Sequence, residues 1–530
     1  MAFLSKEVYQ TLQSVVGPEY ISQDPAICHA YSPSRGGHGK DSGLDTVIGE
    51  IPVCVILPKT TEEVQKIIKI CYRHKIPYVP ASSYWLTHSG PRDPNVMLVD
   101  MKRMNSMEID EKNMYTIIES GVVLSQLQEQ AMKRGLYCTV GGGGSQASAL
   151  ANAIYAGMSP LNYKNGLANR RLMGVEWVLP DGEILRTGSL STGSRYFWGE
   201  GPGPDIRGLF RGNTGWMGGL GICTRIGLKL LPFQPERLEP IGISPETSLQ
   251  LPTNRMKWYN FTLPTREKVV KVMYEIGKSE IGAAVTKVPL IWRYRAKATS
   301  KEHFWELWGA PGKEEELKKT HVLRVLLIGY TSEKHLEYEE KVLMDIIDEH
   351  GGQLRRTRQT DESWIKNADS AAMWWITGQY MSIHGHIDTI ACALKGGEAY
   401  AERKKDFTPP LMEDFGEPGW FQVGENGHMG YLEFLTHFDP YDDEDAIKRT
   451  EEWYFIAGPK LDLEKGLYNF FHIYQSPFSL TGPAHGPNSD KWMLKVKDAF
   501  DPDYLGNPPF PHCVDKLIEK SDWLQKKKDW

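Results

Sequence analysis

Residues 53–75 read VCVILPKTTEEVQKIIKICYRHK, and they predict a short strand followed by a helix. The run from Pro52 to Leu57 is apolar, as in a buried strand. Thr60 and Glu63 then form a capping box, in which each side chain satisfies a free amide at the start of a helix. Apolar residues follow at helical spacing, at positions Val64, Ile67, Ile68 and Cys71. One face of this helix is therefore expected to pack on the preceding strand.

The alternation of strands and helices continues after this unit. Further strands are predicted from the apolar runs bounded by turns, and a Pro-Asp-Gly-Glu turn at residues 180–183 predicts a hairpin. A second helix, capped by Ser125 and Gln128, is expected to run to about Arg134. The predicted strands are 78–80, 96–99, 115–119, 175–179, 184–187, 222–224 and 226–231. The first 233 residues therefore predict an α+β domain.

Composition excludes several classes of protein. The chain has 530 residues, with Lys+Arg 61 against Asp+Glu 67, so a basic field for nucleic acid is not expected. No stretch reaches the length of a membrane span, and the first residues do not resemble a signal peptide. Seven cysteines without a CxxC pair argue against a disulfide framework. We expect a cytoplasmic homo-oligomer.

Glycine and tryptophan are distributed unevenly along the chain. Small-residue turns concentrate before residue 233, whereas tryptophans are frequent between about 233 and 461. We therefore expect three parts: residues 1–233, a second lobe at 234–461, and a C-terminal segment, 462–530, that returns to the first part.

The small-residue turns are the candidate binding elements. Nucleotide-binding signatures of the GxxxxGK[ST] and strand-GxGxxG-helix types are missing from the sequence. Exposed backbone amides in the turns at 82–90, 141–145 and 215–224 could instead hold pyrophosphate oxygens, and small side chains would admit a flat ring system. The run GGGGS at 141–145 is also typical of a flexible linker.

Taken together and in order, these segments resemble the FAD-binding domain of the vanillyl-alcohol oxidase and p-cresol methylhydroxylase family. The resemblance rests on residues 53–64, 75–80, 98–105, 174–188, 203–210, 221–228 and 497–508. It implies an extended FAD bound across two α+β subdomains, with the aromatic-rich α+β lobe forming a cap over the substrate. Such a protein passes a hydride from a substrate carbon to the flavin, which a second acceptor (oxygen, a quinone or a soluble electron carrier) then reoxidises.

The resemblance also assigns roles to residues. His428 and His472 are expected proton acceptors in the substrate pocket, with Tyr468 as a hydroxyl donor. His384 or His386 is a candidate covalent anchor for the flavin. The expected FAD contacts are Pro80, Ser82, Ser83, Gly90, Gly142, Gly143, Ser145, Asn152, Gly166, Asn169, Gly221 and Ile222.

The substrate is expected to be a small organic molecule, an aromatic or cyclic alcohol or an alkyl-aromatic compound. The family's phenol oxidases carry an Asp after the glycine at 166 and a Tyr-Arg pair near 468–472, and this chain has neither. A para-hydroxylated substrate is therefore not favoured, because a buried phenolate needs a cation or strong donors.

Two alternatives remain open. The segment 427–431 loosely resembles the metal-binding region of FAD-linked D-2-hydroxyacid dehydrogenases. Because Leu435 and Ala484 stand where metal ligands would be, no metal is predicted. The third possibility is an electron-relay flavoprotein subunit of a larger assembly.

Overall fold

The structure is a computed structural model of the chain. It describes residues 4–32, 50–84, 90–93, 95–140, 144–201, 203, 205–212, 215, 217–233, 239–241, 248–252, 254–287, 289–319, 321–358, 360–361, 377–417, 419–439, 442–467, 478–481 and 489–528.

The described residues among the first 233 form two main sheets of four and five strands, flanked by helices, and a separate two-stranded pair. The strands are β1 Ile21–Ser22, β2 Cys54–Ile56, β3 Tyr78–Ala81, β4 Met97–Asp100, β5 Met107–Asp110, β6 Tyr115–Glu119, β7 Leu136–Tyr137, β8 Leu172–Val178, β9 Ile184–Arg186, β10 Ile222–Lys229 and β11 Leu231–Pro232. The helices are α1 Lys6–Val16, α2 Pro25–Ala30, α3 Thr61–His74, α4 Leu124–Met132, α5 Ala149–Tyr155, α6 Asn162–Asn165 and α7 Arg207–Phe210.

The β2–α3 unit is as the sequence predicts. Thr60 caps α3 by accepting the amide of Glu63, and the carboxylate of Glu63 reaches back to the amide of Lys59. The four apolar positions at helical spacing are fully buried. Each of the two isoleucines contributes about 1.5–3 kcal/mol by leaving water.

The two sheets differ in the direction of their strands. The first has the order β1-β2-β4-β3, and β2, β4 and β3 are parallel. The second has the order β5-β6-β10-β8-β9 and is antiparallel throughout. Val178 and Ile222, paired at one end of β8 and β10, pack into the core of the first sheet and so join the two subdomains.

One predicted helix start is wrong. The helix α4 begins at Leu124, with Val123 as its cap, and Ser125 lies within its first turn. The side chain of Gln126, not that of Gln128, accepts the free amide of Val123. Gln128 is instead buried, where its carbonyl accepts the amide of Cys138.

The second lobe is built on a seven-stranded antiparallel sheet of order β17-β14-β16-β15-β20-β21-β19, beside a small sheet of order β12-β13-β18. Its strands are β12 Glu239–Ile241, β13 Ser248–Gln250, β14 Met256–Leu263, β15 Ala284–Lys287, β16 His321–Ile328, β17 Gln353–Arg358, β18 Thr360–Asp361, β19 Tyr380–Asp388, β20 Trp420–Gly424 and β21 Met429–Phe438. Its helices are α8 Arg266–Lys278, α9 Leu290–Arg295, α10 Lys301–Gly309, α11 Lys313–Lys319, α12 Glu333–Glu349, α13 Ile390–Lys404, α14 Glu444–Glu452 and α15 Gly458–Lys465.

Helices cover one face of this large sheet. Apolar residues of α8, α12 and α13 pack there against Leu432 and Phe434 of β21 and Phe421 and Val423 of β20. Because side chains alternate along a strand, the residues between them point to the opposite face. That face is directed toward the first 233 residues, and it carries the candidate site described below.

The C-terminal helices are α16 Phe478–Thr481, α17 Ser489–Phe500, α18 Cys513–Lys520 and α19 Asp522–Lys526. The chain between α17 and α18 contacts the first sheet, where Tyr78 donates its amide to Leu505 and accepts that of Asn507. The helix α15 continues across residue 461, and the boundaries drawn from composition stay a prediction.

The α17 helix is tied to the first domain by a buried ion pair. Lys497 Nζ lies 2.6 Å from Asp501 Oδ2, and it also donates to the carbonyls of Gly219 and Gly506, at 2.7 and 2.8 Å. Asp501 in turn accepts the amides of Leu505 and Gly506. The carbonyl of Gly219 belongs to the turn before β10, so its hydrogen bond from Lys497 holds this turn in place.

The seven cysteines all lie within the described residues, and all are free thiols. Among the described helices, none is long and apolar enough to cross a membrane.

Candidate functional site

The loops that the sequence singles out meet where the two small sheets join. Gly218, in the turn before β10, has φ +72°, and a Cβ built on it would lie 2.4 Å from Cδ of Pro80 in β3. Gly221 has φ +101°, and a Cβ there would lie 2.2 Å from the carbonyl oxygen of Val178. Ile222 follows as the buried first residue of β10. Only glycine allows the turn to approach the ring of Pro80 and the backbone of Val178 this closely.

The turn after β3 contacts the segment that precedes α5. Ser82 and Ser83 follow β3 directly, and Ser83 Oγ accepts the amide of Ser148 at 3.1 Å. Ser145 is buried, and its carbonyl accepts the amide of Ser125 at 2.9 Å. Gly90 is also buried. The predicted contacts Gly142 and Gly143 lie outside the described residues.

A third loop, between α5 and β8, is held by small residues. The amide of Asn169 donates to the carbonyl of Ala156 at 3.2 Å. Gly157 has φ +70°, and a Cβ there would lie 2.1 Å from Cβ of Ala168 and 2.9 Å from Oδ1 of Asn152. That oxygen of Asn152 is buried and has no hydrogen-bond partner among the described residues. A buried, unpaired acceptor in α5, facing this loop, suits a bound donor.

A buried cation lies at the start of β8. Arg171 is 6% exposed, and its Nη2 donates to Oγ1 of Thr139. Its Nε and Nη1 are buried without a hydrogen-bond partner among the described residues. Burial lowers the pKa of this guanidinium. A buried charge without a counter-ion is costly, so an anion bound beside Thr139 would stabilise it.

The second lobe reaches this region through the turn between β20 and β21. Glu425, in that turn, lies 2.8 Å from Nε of Arg170. Gly166, at the end of α6, has φ +68°, and a Cβ there would come within 3.6 Å of the Glu425 carboxylate. This contact brings the face of the large sheet over the loop between α5 and β8.

Two polar side chains of β21 interact on that face. The hydroxyl of Tyr431 donates to Oε1 of Glu433 at 2.8 Å. Burial raises the pKa of the Glu433 carboxyl to about 7, and the hydrogen bond from Tyr431 opposes the shift. Glu433 can therefore exist in both protonation states near neutral pH, as an acid-base group requires.

Gln422 lies beside them in β20. It pairs across the sheet with Tyr431 on one side and with Thr286 on the other. Gln422 is 0% exposed, and neither its amide nitrogen nor its amide oxygen has a hydrogen-bond partner among the described residues. Leaving both unpaired is costly, so this amide suits a polar group of a bound ligand.

An aromatic wall borders these groups. The rings of Trp292 and Trp420 stack, with centroids 6.1 Å apart, and Trp420 meets Tyr431 edge to face at 6.0 Å. Trp420 and Tyr431 share an apolar cluster with residues of the first domain and of the α18 start: Ala156, Met158, Leu167, Met217, Phe510 and Cys513. The arrangement is a polar row against an aromatic wall, where the two lobes meet.

Of the three predicted catalytic residues, the structure describes His428. His428 is exposed, in the turn before β21, three residues ahead of Tyr431. His472 and Tyr468 lie outside the described residues, as does the side chain of His384. These roles stay predictions.

His386, the other candidate flavin anchor, lies in β19 on the helix-covered face of the large sheet. It is 1% exposed, and its Nε2 lies 2.9 Å from Oδ1 of Asp462. The same oxygen accepts the hydroxyl of Tyr400 at 2.8 Å. His386 therefore belongs to the core of the second lobe, away from the face that carries Tyr431 and Glu433.

Within the described parts of the chain, no group of three or more His, Cys, Asp or Glu side chains is placed to hold a metal ion.

Sequence reasoning missed Gln422, Tyr431, Glu433 and Arg171. A signal for Glu433 exists, because the apolar strand sequence MGYLEFLTHF at 429–438 contains one acid, two residues after a tyrosine. A pair at this spacing shares one face of a strand. Nothing in the sequence indicates which face meets the other lobe.

Comparison with known proteins agrees with the fold. A family model described as an FAD binding domain matches residues 52–188. Over its whole length the chain is similar to the solved structures of 4-ethylphenol oxidase from Gulosibacter chungangensis and of p-cresol methylhydroxylase. The first has a TM-score of 0.70 at 19% identity, covering 97% of this chain and 98% of that one. The second has a TM-score of 0.71 at 16% identity, covering 96% of each chain.

The matches to curated relatives cover a shorter part of the chain than the matches to solved structures do. The glycolate oxidase subunit GlcD of Bacillus subtilis is 29% identical over 237 residues, which are 44% of this chain and 46% of that protein. The 4-cresol dehydrogenase [hydroxylating] flavoprotein subunit of Pseudomonas putida is 25% identical over 248 residues, with the same coverage. The matched segment thus spans about half the length of these relatives.

The chain is therefore a flavoprotein, and FAD is its cofactor. Its resemblance to the vanillyl-alcohol oxidase and p-cresol methylhydroxylase family is confirmed, as is the α+β fold with an FAD-binding domain. The residues present fit this cofactor. Glycines let the loops pack closely against Pro80 and Ala168. The unpartnered oxygen of Asn152 can accept a hydrogen bond from the cofactor, and the buried Arg171 can pair with its negative charge.

Proposed function

We propose that the protein is an FAD-dependent oxidoreductase that oxidises a C–H bond of a small organic substrate, an aromatic or cyclic alcohol or an alkyl-aromatic compound. The observation that carries the proposal is the row of Gln422, Tyr431 and Glu433 beside the stacked Trp292 and Trp420, on the face of the cap that meets the FAD-binding domain.

The FAD would be held by the loops already described. Ser83, Asn152 and Gly218 would contribute the contacts of these segments, and Arg171 would supply a buried positive charge. When bound, FAD supplies a hydride acceptor.

The residues of the chain prepare the substrate for that transfer. The aromatic wall of Trp292 and Trp420 suits a flat, apolar substrate body and excludes water from it. The amide of Gln422 would orient a polar substituent. Tyr431 would accept the proton of a substrate hydroxyl as it passes its own proton to Glu433, whose raised pKa suits proton transfer near neutral pH.

The test is anaerobic mixing of the FAD-loaded protein with benzyl alcohol, cyclohexanol or D-lactate, followed by visible absorbance. Bleaching of the flavin bands by either of the first two is the expected result. Bleaching by D-lactate alone would favour the D-2-hydroxyacid dehydrogenase alternative, toward which the similarity to a glycolate oxidase subunit points. A flavin that none of the three reduces would contradict the proposal and favour an electron-relay subunit.

Oxygen, a quinone or a soluble carrier remains the proposed electron acceptor. The same reduced protein, mixed with air or with a soluble quinone, would show which of them restores the flavin bands. The cytoplasmic location and the homo-oligomeric state likewise stand as proposals, to be tested by cell fractionation and by size-exclusion chromatography with light scattering.

A further inference from the structure

A cavity lies on the FAD-binding domain, next to the ion pair between Arg170 and Glu425 of the second lobe. It has a volume of about 510 Å³ and opens between the start of β8, the end of β10 and residues 197–200 and 205–211. Lys229 marks its edge, seven residues along β10 from Ile222. At the rise of an extended strand this separation is about 23 Å. The cavity is therefore distinct from the loops at Pro80 and Gly218, and it meets the third loop of the candidate site at Asn169.

The lining of this cavity is positively charged, whereas the chain as a whole is negatively charged. Its described lining includes Arg170, Arg207, Arg211 and Lys229, against two acids, Glu200 and Asp205. The whole protein carries a net charge of -6. A local excess of positive charge on an acidic protein favours an anionic ligand.

The two acids are already engaged. Both pair with Arg207, at 2.6 Å from Glu200 and 2.9 Å from Asp205, and Arg207 also donates to the carbonyl of Leu172. Arg207 is thereby fixed as part of the wall. Arg170 pairs with Glu425, which is not part of the lining, so Arg211 and Lys229 are the lining cations without a carboxylate partner among the described ion pairs.

Arg211 is the group with unused hydrogen-bonding capacity. Its Nε is buried and has no hydrogen-bond partner within the described part of the chain. Burial lowers the pKa of its guanidinium, and the neighbouring charge of Arg207 lowers it further. A carboxylate or phosphate bound here would satisfy the Nε–H and relieve the repulsion between the two arginines.

Two solvent-exposed aromatic side chains lie beside these charged residues. Trp198 is 56% exposed and Phe197 is 44% exposed, and both line the cavity. Large exposed aromatics that border a concave site are typical of ligand stacking. The volume is within the range of small-molecule sites.

We propose that this cavity binds a planar aromatic anion, with its ring on Trp198 and its acidic group on Arg211. The site is separate from the proposed substrate site, and its occupation does not depend on the proposed reaction. A regulatory ligand or a docked metabolite of this chemistry would be recognised here.

The test is isothermal titration of the FAD-loaded protein with 2-naphthoate, with its uncharged amide and with inorganic phosphate. We expect 2-naphthoate to bind in preference to the other two. Arg211→Gln and Trp198→Ala should each weaken it about tenfold. Arg195→Gln is the matched control, since Arg195 is 72% exposed, pairs with Asp110 and does not line the cavity.

Three results would overturn the proposal. They are absence of 2-naphthoate binding, equal binding by the wild type and both cavity variants, and binding only to the FAD-free protein, which would place the cavity within the cofactor site. Trp198 is exposed, so its alanine variant is expected to fold, and an unchanged flavin spectrum would verify this.

Discussion

The hydroxyl of Tyr431 donates a 2.8 Å hydrogen bond to the carboxylate of Glu433, two residues further along the same strand. The two side chains share the face of the cap sheet that is directed at the FAD-binding domain, next to Trp420. An acid with a pKa of about 7, linked to a phenol at the meeting of two lobes, is the arrangement on which the proposed proton transfer depends.

Glu433→Gln should reduce kcat by about 10²-fold to 10⁴-fold, because the amide cannot accept a proton. Wild-type kcat should rise with pH through about 7, as Glu433 loses its proton and becomes the acceptor, and the variant should lack this rise. The measurement is flavin reduction in a stopped-flow instrument between pH 5.5 and 9. Glu464→Gln is the control, since Glu464 is exposed and pairs only with Arg403 in the described contacts. An unchanged pH profile in the Glu433 variant would remove the carboxylate from the mechanism.

Gln422→Leu should have opposite effects on stability and on binding. Without a ligand, replacement of a buried, unpartnered amide by an apolar side chain of similar size should leave the free energy of unfolding unchanged or raise it by about 1 kcal/mol. With a substrate, KM should rise about tenfold, because the orienting contact is lost. Urea unfolding measures the free energy of unfolding, and steady-state kinetics measure KM. A variant that is clearly less stable would show that Gln422 has partners outside the described residues.

Lys497→Met should lower the free energy of unfolding by about 3–5 kcal/mol, since it leaves the carboxylate of Asp501 buried without its cation. The turn before β10 should loosen with it, so FAD retention on gel filtration should fall. Lys75→Met is the comparison. Lys75 also pairs with an aspartate, Asp503, but at the surface, so its replacement should lower the free energy of unfolding far less. Equal losses in the two variants would contradict the role given to burial.

Gly218→Ala should weaken FAD binding more than Gly212→Ala. Both glycines have positive φ, +72° and +81°, so both substitutions strain the backbone by about 1 kcal/mol. Only the Cβ at 218 meets another group, Cδ of Pro80 at 2.4 Å, whereas the Cβ at 212 has open space. Fluorescence titration with FAD measures the difference. If both variants bind FAD equally, the contact with Pro80 does not shape the cofactor site.

Glu451→Gln should stabilise the protein above pH 7. Burial raises the pKa of Glu451 to about 7, partly offset by Lys448, from 4.5 in the unfolded chain. The folded state therefore holds a proton that the unfolded state has lost, so this group makes stability fall as pH rises from 4.5 to 7. The variant should lack that decline, a difference of up to about 3 kcal/mol at pH 8. Thermal unfolding of both proteins at pH 5 and pH 8 provides the measurement, and an identical decline in both would exclude Glu451 as its source.

The amino-acid sequence by itself determined the local elements of the FAD-binding domain and its cofactor. Three of these elements depend on residues that are close together in the chain: the capping box at Thr60, the apolar face of α3 and the hairpin turn at 180–183. Their spacing and periodicity can therefore be recognised from the sequence alone. The order of small-residue turns was enough to indicate the family.

Only the tertiary structure decided which cap residues face the cofactor domain. The side chains of β21 alternate between two faces, and the sequence does not say which face the helices α8, α12 and α13 cover. Once they cover Leu432 and Phe434, Tyr431 and Glu433 are left on the other face, and His386 is turned into the core against Asp462. The pairing of Gln422 with Tyr431, the buried charge of Arg171 and the cavity at Arg211 likewise join residues far apart in the chain, because long-range packing, not local spacing, sets burial and with it the pKa of each group.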